Sequence, residues 1–232
     1  MWTPDHFAPE SDEWILQLVD ENPFGLLIAG GAGAPTATHV PMLLRPDDRE
    51  GAAPDLVGSR VLGHLARANQ HWSSLADGQE VLAIFQGPHG YVSPTLYPDL
   101  PAAPTWNYTA VHLTGPIRLL HDPAEMMRII DRTIDAVESP RLEPWDREPS
   151  RGYFDRIIGG VVGFEIEVTG SQSSFKLSQD QWDARREAVT HDALVGPDPS
   201  RWGLGRWMQR STRPGPPPPG AARGRTGEAA QP

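Results

Sequence analysis

The chain has 232 residues, carries a formal charge of −10 and contains no cysteine. Disulfides, thiolate haem ligation, iron–sulfur clusters and cysteine zinc sites are therefore excluded, and any metal must be held by His or carboxylate. Residues 201–232 hold six Arg against one Glu, leaving residues 1–200 with 14 basic and 29 acidic side chains, a net −15. Such an acidic body lacks the basic face that phosphate neutralisation demands, so nucleic acid is not an expected partner.

The elements follow in chain order. Residues 11–22 begin with a capping Ser11 and two acids, carry Trp14, Ile15, Leu18 and Val19 at helical spacing and stop before Pro23, which predicts an amphipathic helix. Phe24-Gly-Leu-Leu-Ile-Ala, the turn Gly30-Gly-Ala-Gly33 and Thr36-Ala-Thr-His-Val-Pro-Met-Leu-Leu44 read as a hairpin. The glycine run raises the question of a dinucleotide loop, but Pro35 and a strand follow it instead of a helix. Residues 57–66, 79–86 and 108–120 add three strands. Asp122-Pro123 caps a helix whose apolar face runs Met126, Ile129, Ile130, Thr133, Ile134, Val137. Tyr153, Phe154, Ile157 and Ile158 suggest a third helix ended by Gly159-Gly160, and residues 161–168 a sixth strand. Ser178-Gln-Asp-Gln181 matches capping-box spacing, which places Lys176 and Ser178 at a helix N-terminus where anions are favoured.

Six short strands with peripheral helices predict a mainly β, α+β domain, a six-stranded barrel over residues 1–210 with C-terminal helices. Residues 211–232, rich in Pro, Gly and Arg, predict a disordered tail. No run of about 18 apolar residues could cross a bilayer and no signal-like N-terminus stands out, so a cytoplasmic protein is expected.

Imidazoles, aromatics and hydrogen-bonding side chains concentrate between the strands, as a cofactor pocket requires. His64 shares a strand face with Leu62 and Ala66 and reads either as a core histidine bonded to backbone or as an imidazole for haem iron or a flavin. His39, His71, His89 and His112 compete for that role. Arg67, Asn69 and Trp72 offer a guanidinium fork, an amide and a flat wall, or else a surface ion pair, a turn residue and a core ring. Trp106-Asn107-Tyr108 suits a ring-stacking wall or the core. A His-Glu-x-x-His helix, a Gly-x-Ser-x-Gly elbow and a phosphate loop are all missing, which disfavours hydrolase and NTPase readings.

At Gly63-His-Leu-Ala-Arg-Ala-Asn69 with Trp72, Leu75-Ala-Asp-Gly78, Ile84-Phe-Gln-Gly-Pro-His89, Tyr91-Val-Ser-Pro94, Pro104-Thr-Trp-Asn-Tyr108 with His112, and Phe175-Lys-Leu-Ser-Gln179, the sequence resembles the PaiB-type family of FMN-binding regulators, related to split-barrel flavin reductases. The resemblance covers roughly residues 1–182. It implies a homodimeric split β-barrel with its ring pocket at or near the dimer interface. Residues 97–104 and 108–115 lean towards a haem b-binding branch of that family, the piperazate synthases, which cyclise N5-hydroxy-L-ornithine to L-piperazate by forming an N–N bond.

On that resemblance His64 is the iron ligand, with Arg67 or Lys176 near a propionate or the substrate carboxylate. Asn69, Trp72, Tyr91, Ser93, Trp106, Asn107, Tyr108 and Ser178 become cofactor-binding or orienting groups, and His89 or His112 the base. The alternative is an FMN-binding PaiB-like protein, a flavin reductase or a negative transcriptional regulator.

Overall fold

The computed structural model describes residues 1–31 and 33–217. The chain divides into two compact units. Unit 1 comprises Met1 and residues 11–87 and 110–174, and unit 2 comprises residues 2–10, 88–109 and those from 175 onward. No linker marks the division because three strands, β4 (Glu80–Val92), β5 (Thr105–Leu120) and β7 (Gly170–Lys176), each run on from one unit into the other.

Unit 1 opens with helix α1 (Glu13–Glu21), which buries Trp14, Ile15, Leu18 and Val19, the positions spaced for one helical face. The hairpin follows as β1 (Phe24–Ala29) and β2 (Thr36–Leu44), paired antiparallel from Phe24↔Pro41 to Ala29↔Thr36; Ala32 of its turn lies outside the described residues. Then come β3 (Arg60–Ala66), the short helix α2 (Gln70–Ser73), helices α3 (Pro123–Glu138) and α4 (Arg151–Ile157), β6 (Val161–Glu167) and β7 (Gly170–Lys176). Asp122 caps α3 as its sequence predicts, its carboxylate accepting a hydrogen bond from the backbone N–H of Glu125 at 3.2 Å.

Among the described residues the strand order is β4-β1-β2-β3-β6-β5-β7, and β4 also pairs with β5. That pairing returns the order to its start, the connectivity of a six-stranded barrel with β7 added at β5. Inside unit 1, Leu27, Met42, Val61, Ala83, Phe85, Leu113, Phe164 and Ile166 are fully buried. Alternate strand positions thus supply one apolar face.

Unit 2 contains helices α5 (Asp183–Val195) and α6 (Trp202–Arg210), packed against each other. Arg185 of α5 grips Asp99 through Nε and Nη2 at 2.7 and 2.9 Å and lies over the Tyr97 ring, fixing the segment between β4 and β5.

The structure departs from the sequence reading in several places. Strand β4 continues through Gly87-Pro-His-Gly to Val92, and β5 starts at Thr105. Strand β7 was not foreseen, and helix α6 was given no bounds of its own within the expected C-terminal helices. The capping box fails: Ser178 takes φ +66°, and α5 starts only at Asp183, with Trp182 at its N-cap and no side-chain cap bond. Gln179 explains this, because its side chain accepts from the Leu177 N–H at 2.6 Å and donates to the Phe175 carbonyl at 2.6 Å, closing a separate turn ahead of the helix. Finally, Ser211 of the expected tail is buried and its neighbours are hydrogen-bonded, whereas residues 218–232 lie outside the described residues. Among the described residues no helix is long and apolar enough to cross a membrane.

Candidate functional site

The residues singled out from sequence fall into two groups, one in each unit. In unit 1 the central element is β3. Gly63 pairs with Phe164 of β6, and a Cβ at Gly63 would lie 2.3 Å from the Phe164 Cζ, so only glycine leaves room for that ring. The next residue, His64, is opposite Gly163 and points to the other face. Gly163 lies beneath α3: a Cβ there would meet Ile129 at 3.1 Å and Met126 at 3.5 Å. His64 is half-buried and its Nδ1 has no hydrogen-bond partner among the described residues. Burial holds its pKa below the usual imidazole value, so the ring is neutral at physiological pH, the form in which imidazole ligates metals.

Its sequence neighbours are engaged locally. Arg67 donates from Nε to the Gly159 carbonyl at 2.9 Å and from Nη2 to the Val161 carbonyl at 3.1 Å, and it lies over the Trp72 ring. Its fork is therefore occupied by backbone. Trp72 donates to the Arg67 carbonyl at 2.6 Å. Asn69 caps α2 by accepting from the His71 N–H at 2.9 Å. His71 is buried, with Nδ1 2.8 Å from the Thr38 hydroxyl and Nε2 lacking a partner among the described residues. His112 of β5 is half-buried, and burial, followed by the positive N-terminus, lowers its pKa. A neutral His112 can accept a proton.

In unit 2, His89, Tyr91, Ser93 and Trp106 come together around a cavity of about 540 Å³ that also takes in Asp192, Asp198 and Arg201. The Trp106 indole donates to His89 Nδ1 at 3.2 Å, the two rings stack at 5.9 Å, and Tyr91 lies 6.1 Å from Trp106. Ser93 caps the turn after β4, accepting from the Thr95 N–H at 3.3 Å. With its Nδ1 lone pair taken by the indole, neutral His89 carries its proton on Nε2, where it can donate but not accept.

Asn107 is fully buried, donates to the Ser178 hydroxyl at 2.7 Å and contacts Met208 Sδ at 3.7 Å, while its Oδ1 has no partner among the described residues. Tyr108 is half-buried on the same strand. Lys176, at the end of β7 and not at a helix N-terminus, donates to the Thr105 hydroxyl at 2.6 Å and lies 5.7 Å from the Phe7 ring centroid. Asp192, Asp198 and Arg201 were missed by the sequence reading. Their signal is Asp198-Pro-Ser, an N-cap followed by an N1 proline, the same device as Asp122-Pro123.

Among the described residues no three of His, Asp and Glu gather to hold a bare metal ion. Were a haem bound in unit 1, His64 is the side chain whose neutral imidazole would hold its iron.

A family model described as "Putative FMN-binding domain" matches residues 1–170. The chain belongs to this PaiB-like family. A relative from Bacillus subtilis, "Protease synthase and sporulation protein PAI 2", is 32% identical over 183 residues, covering 78% of this PaiB-like chain and 83% of the relative. An uncharacterised protein of Emericella nidulans, AN0679, is 28% identical over 212 residues, covering 75% and 83%. Among solved structures, the conserved hypothetical protein Rv2991 of Mycobacterium tuberculosis resembles the PaiB-like fold with a TM-score of 0.51 at 13% identity, over 76% of this chain and 91% of that one.

Proposed function

We propose that this PaiB-like chain binds haem b through His64 and, as a cytoplasmic homodimer, forms the N–N bond that converts N5-hydroxy-L-ornithine to L-piperazate. The observation that carries the reading is the state of His64: a neutral, half-buried imidazole with an unpartnered Nδ1 in a chain without cysteine. When bound, haem would supply a Lewis-acidic iron that favours departure of hydroxide from the hydroxylamine. The α-amine attacks the N5 nitrogen within the same molecule, hydroxide leaves, and the proton lost by the amine makes the balance one water.

For the base, the hydrogen bonding favours His112 over His89: the Trp106 indole occupies the Nδ1 lone pair of His89, while burial lowers the pKa of His112 and leaves its ring neutral. Arg67 supports the site by tying β3 to the start of β6; its engaged fork argues against a role as carboxylate ligand.

The absorption spectrum of the purified protein tests the reading. An intense Soret band is expected, absent from His64→Ala while that variant keeps its fold. Normal haem content in His64→Ala would refute the ligand assignment. A second reading, an FMN-binding reductase or regulator, is favoured by the description of the matching family model. It predicts a yellow protein with flavin absorbance and no Soret band.

A further inference from the structure

Four arginines meet at one cavity of unit 1. Arg45 follows β2, Arg118 stands on β5, and Arg128 and Arg132 lie about one turn apart on α3; with Glu125, Glu165 and the side chains of Leu62, Leu120 and Ile129 they line a space of about 120 Å³. Residues 1–200 carry 14 basic side chains against 29 acidic ones, so an even spread of charge would not bring four arginines together. Arg128 and Arg132 are moreover spaced i and i+4, where like charges repel across a helix face. Cations gathered at such a cost are placed to share an anion.

The two carboxylates do not use up the charge. Glu165, directly opposite Arg118 in the β5–β6 register, accepts from Arg118 at 3.2 Å and lies 3.7 Å from Arg45, which ties two guanidinia to the rim. Glu125 comes only within 4.0 Å of Arg128. Arg132 has no hydrogen bond or ion pair from its side chain among the described residues. Four positive and two negative side chains leave the lining at +2.

Solvent reaches the arginines, and apolar side chains lie beneath them. Arg118 and Arg128 keep 54% and 63% of their side-chain surface exposed, so a solute meets their guanidinia directly. Leu62, Leu120 and Ile129 form a buried cluster that keeps water from one side of a bound ion and strengthens its attraction to the arginines. One water needs about 10–15 Å³ of such space, so 120 Å³ takes a group of several heavy atoms. A carboxylate brings one charge and suits one guanidinium fork. A phosphate group brings a charge of about −1.5 to −2 at neutral pH and three acceptor oxygens, which answers both the +2 and the several directions from which the donors come.

We propose that this cavity binds a phosphate dianion, free or as the head of a monoester, held by Arg45, Arg118, Arg128 and Arg132. A second cavity of about 360 Å³ shares Leu62, Ile129 and Arg132 with the first and adds Leu43, Leu44 and Pro46, apolar ground for the organic part of an ester. None of these side chains takes part in the haem reading of His64, so the test needs no cofactor.

The full chain, in phosphate-free buffer at constant ionic strength, is titrated with inorganic phosphate, glycerol 3-phosphate and phenyl phosphate, and binding is followed by broadening of the phosphorus NMR line. Acetate, followed by its proton line, is the monoanion control. At least one phosphate should bind saturably and at least tenfold more tightly than acetate. An ester that binds more tightly than inorganic phosphate identifies a monoester as the source; inorganic phosphate binding as tightly as the esters, or more so, identifies the free ion. The double variant Arg128→Gln, Arg132→Gln should weaken that binding tenfold or more, whereas Arg206→Gln, at an exposed position of α6 outside the cavity lining, should leave it unchanged. Circular dichroism establishes that the variants fold; should the double variant not fold, each single variant is tested and should weaken binding at least threefold. Absence of saturable binding by all three phosphates would overturn the proposal. Acetate binding as tightly as phosphate, parental affinity in the folded α3 variants, or an equal loss in Arg206→Gln would overturn it as well.

Discussion

Gly63→Ala puts one methyl group where the structure has no space for it. The new Cβ would sit 2.3 Å from Cζ of Phe164 and 2.9 Å from both Cε atoms, so it meets the end of the ring head-on. Carbon atoms rest at about 3.5–4.0 Å, so the ring must withdraw by more than about 1 Å. Phe164 is fully buried and directly opposite in the β3–β6 register, which leaves it nowhere easy to go. Overpacking a filled core costs roughly 1–3 kcal/mol, and a clash this deep belongs at the upper end, about 3 kcal/mol. For a chain of this size each kcal/mol lowers Tm by about 2–4 °C, so thermal unfolding followed by circular dichroism should show a fall of roughly 6–12 °C. Phe164→Leu should relieve the clash. The double variant is therefore expected to be more stable than the two single losses added together, with a coupling of about 1–3 kcal/mol. A Tm equal to the parent's, or strictly additive losses, would refute the argument that Gly63 exists to admit Phe164.

The histidines set a second expectation. Burial lowers the pKa of His64, His71 and, with help from the N-terminal charge, His112. The unfolded chain titrates these rings near about 6.5 and binds more protons than the native chain below that value. Their contribution is thus fully present above pH 7 and lost as pH falls through 6.5 towards the native values; Tm should be flat from pH 8 to 7 and decline by pH 5.5, and a Tm that rises on acidification would contradict this. Third, Asp48 accepts from the Arg60 backbone N–H, Nε and Nη2 at 2.9, 2.8 and 2.6 Å, and these bonds hold its carboxyl below its usual pKa. Asp48→Ala should cost about 1–3 kcal/mol in urea unfolding at pH 7, with the difference shrinking below pH 4 as the parent's carboxylate protonates; an unchanged midpoint at pH 7 would show that the fork contributes nothing.

Much of the fold was legible because period and punctuation agreed. In α1 and α3 the apolar positions repeat at helical spacing, with Pro23 after the one and Asp122-Pro123 before the other, and in the β1–β2 hairpin two apolar runs flank glycines. That His64 stands on a strand with Leu62 and Ala66 at alternate positions followed from its spacing alone. What escaped notice was decided by tertiary contact. Strand β7, Gly-Ser-Gln-Ser-Ser-Phe-Lys, has little β propensity and exists because β5 offers it a partner. Helix α6 fell within the expected C-terminal helices but was given no bounds of its own; Leu204, Trp207 and Met208 lie on one helical face and are buried. Ser178 has the right neighbours for a cap, but Gln179 closes a turn first. Of the candidate site, the aromatic wall could be read because Trp and Tyr stand out in any sequence. The approach of Asp192, Asp198 and Arg201 to that wall could not, since it is set by how the chain folds back and not by spacing.

Glu10 joins two stretches of unit 2 that the sequence separates by about two hundred positions. Burial alone would raise its pKa, but the Ser211 hydroxyl and the backbone N–H groups of Thr212 and Arg213, the latter two at 2.7 and 3.0 Å, bring it below the usual carboxylate value. One carboxylate therefore acts as a clasp. Trimming ten residues from the front of the polypeptide would unfasten its rear, and a fluorophore or affinity handle fused behind Arg213 would start from a fixed foothold only while that acid is intact.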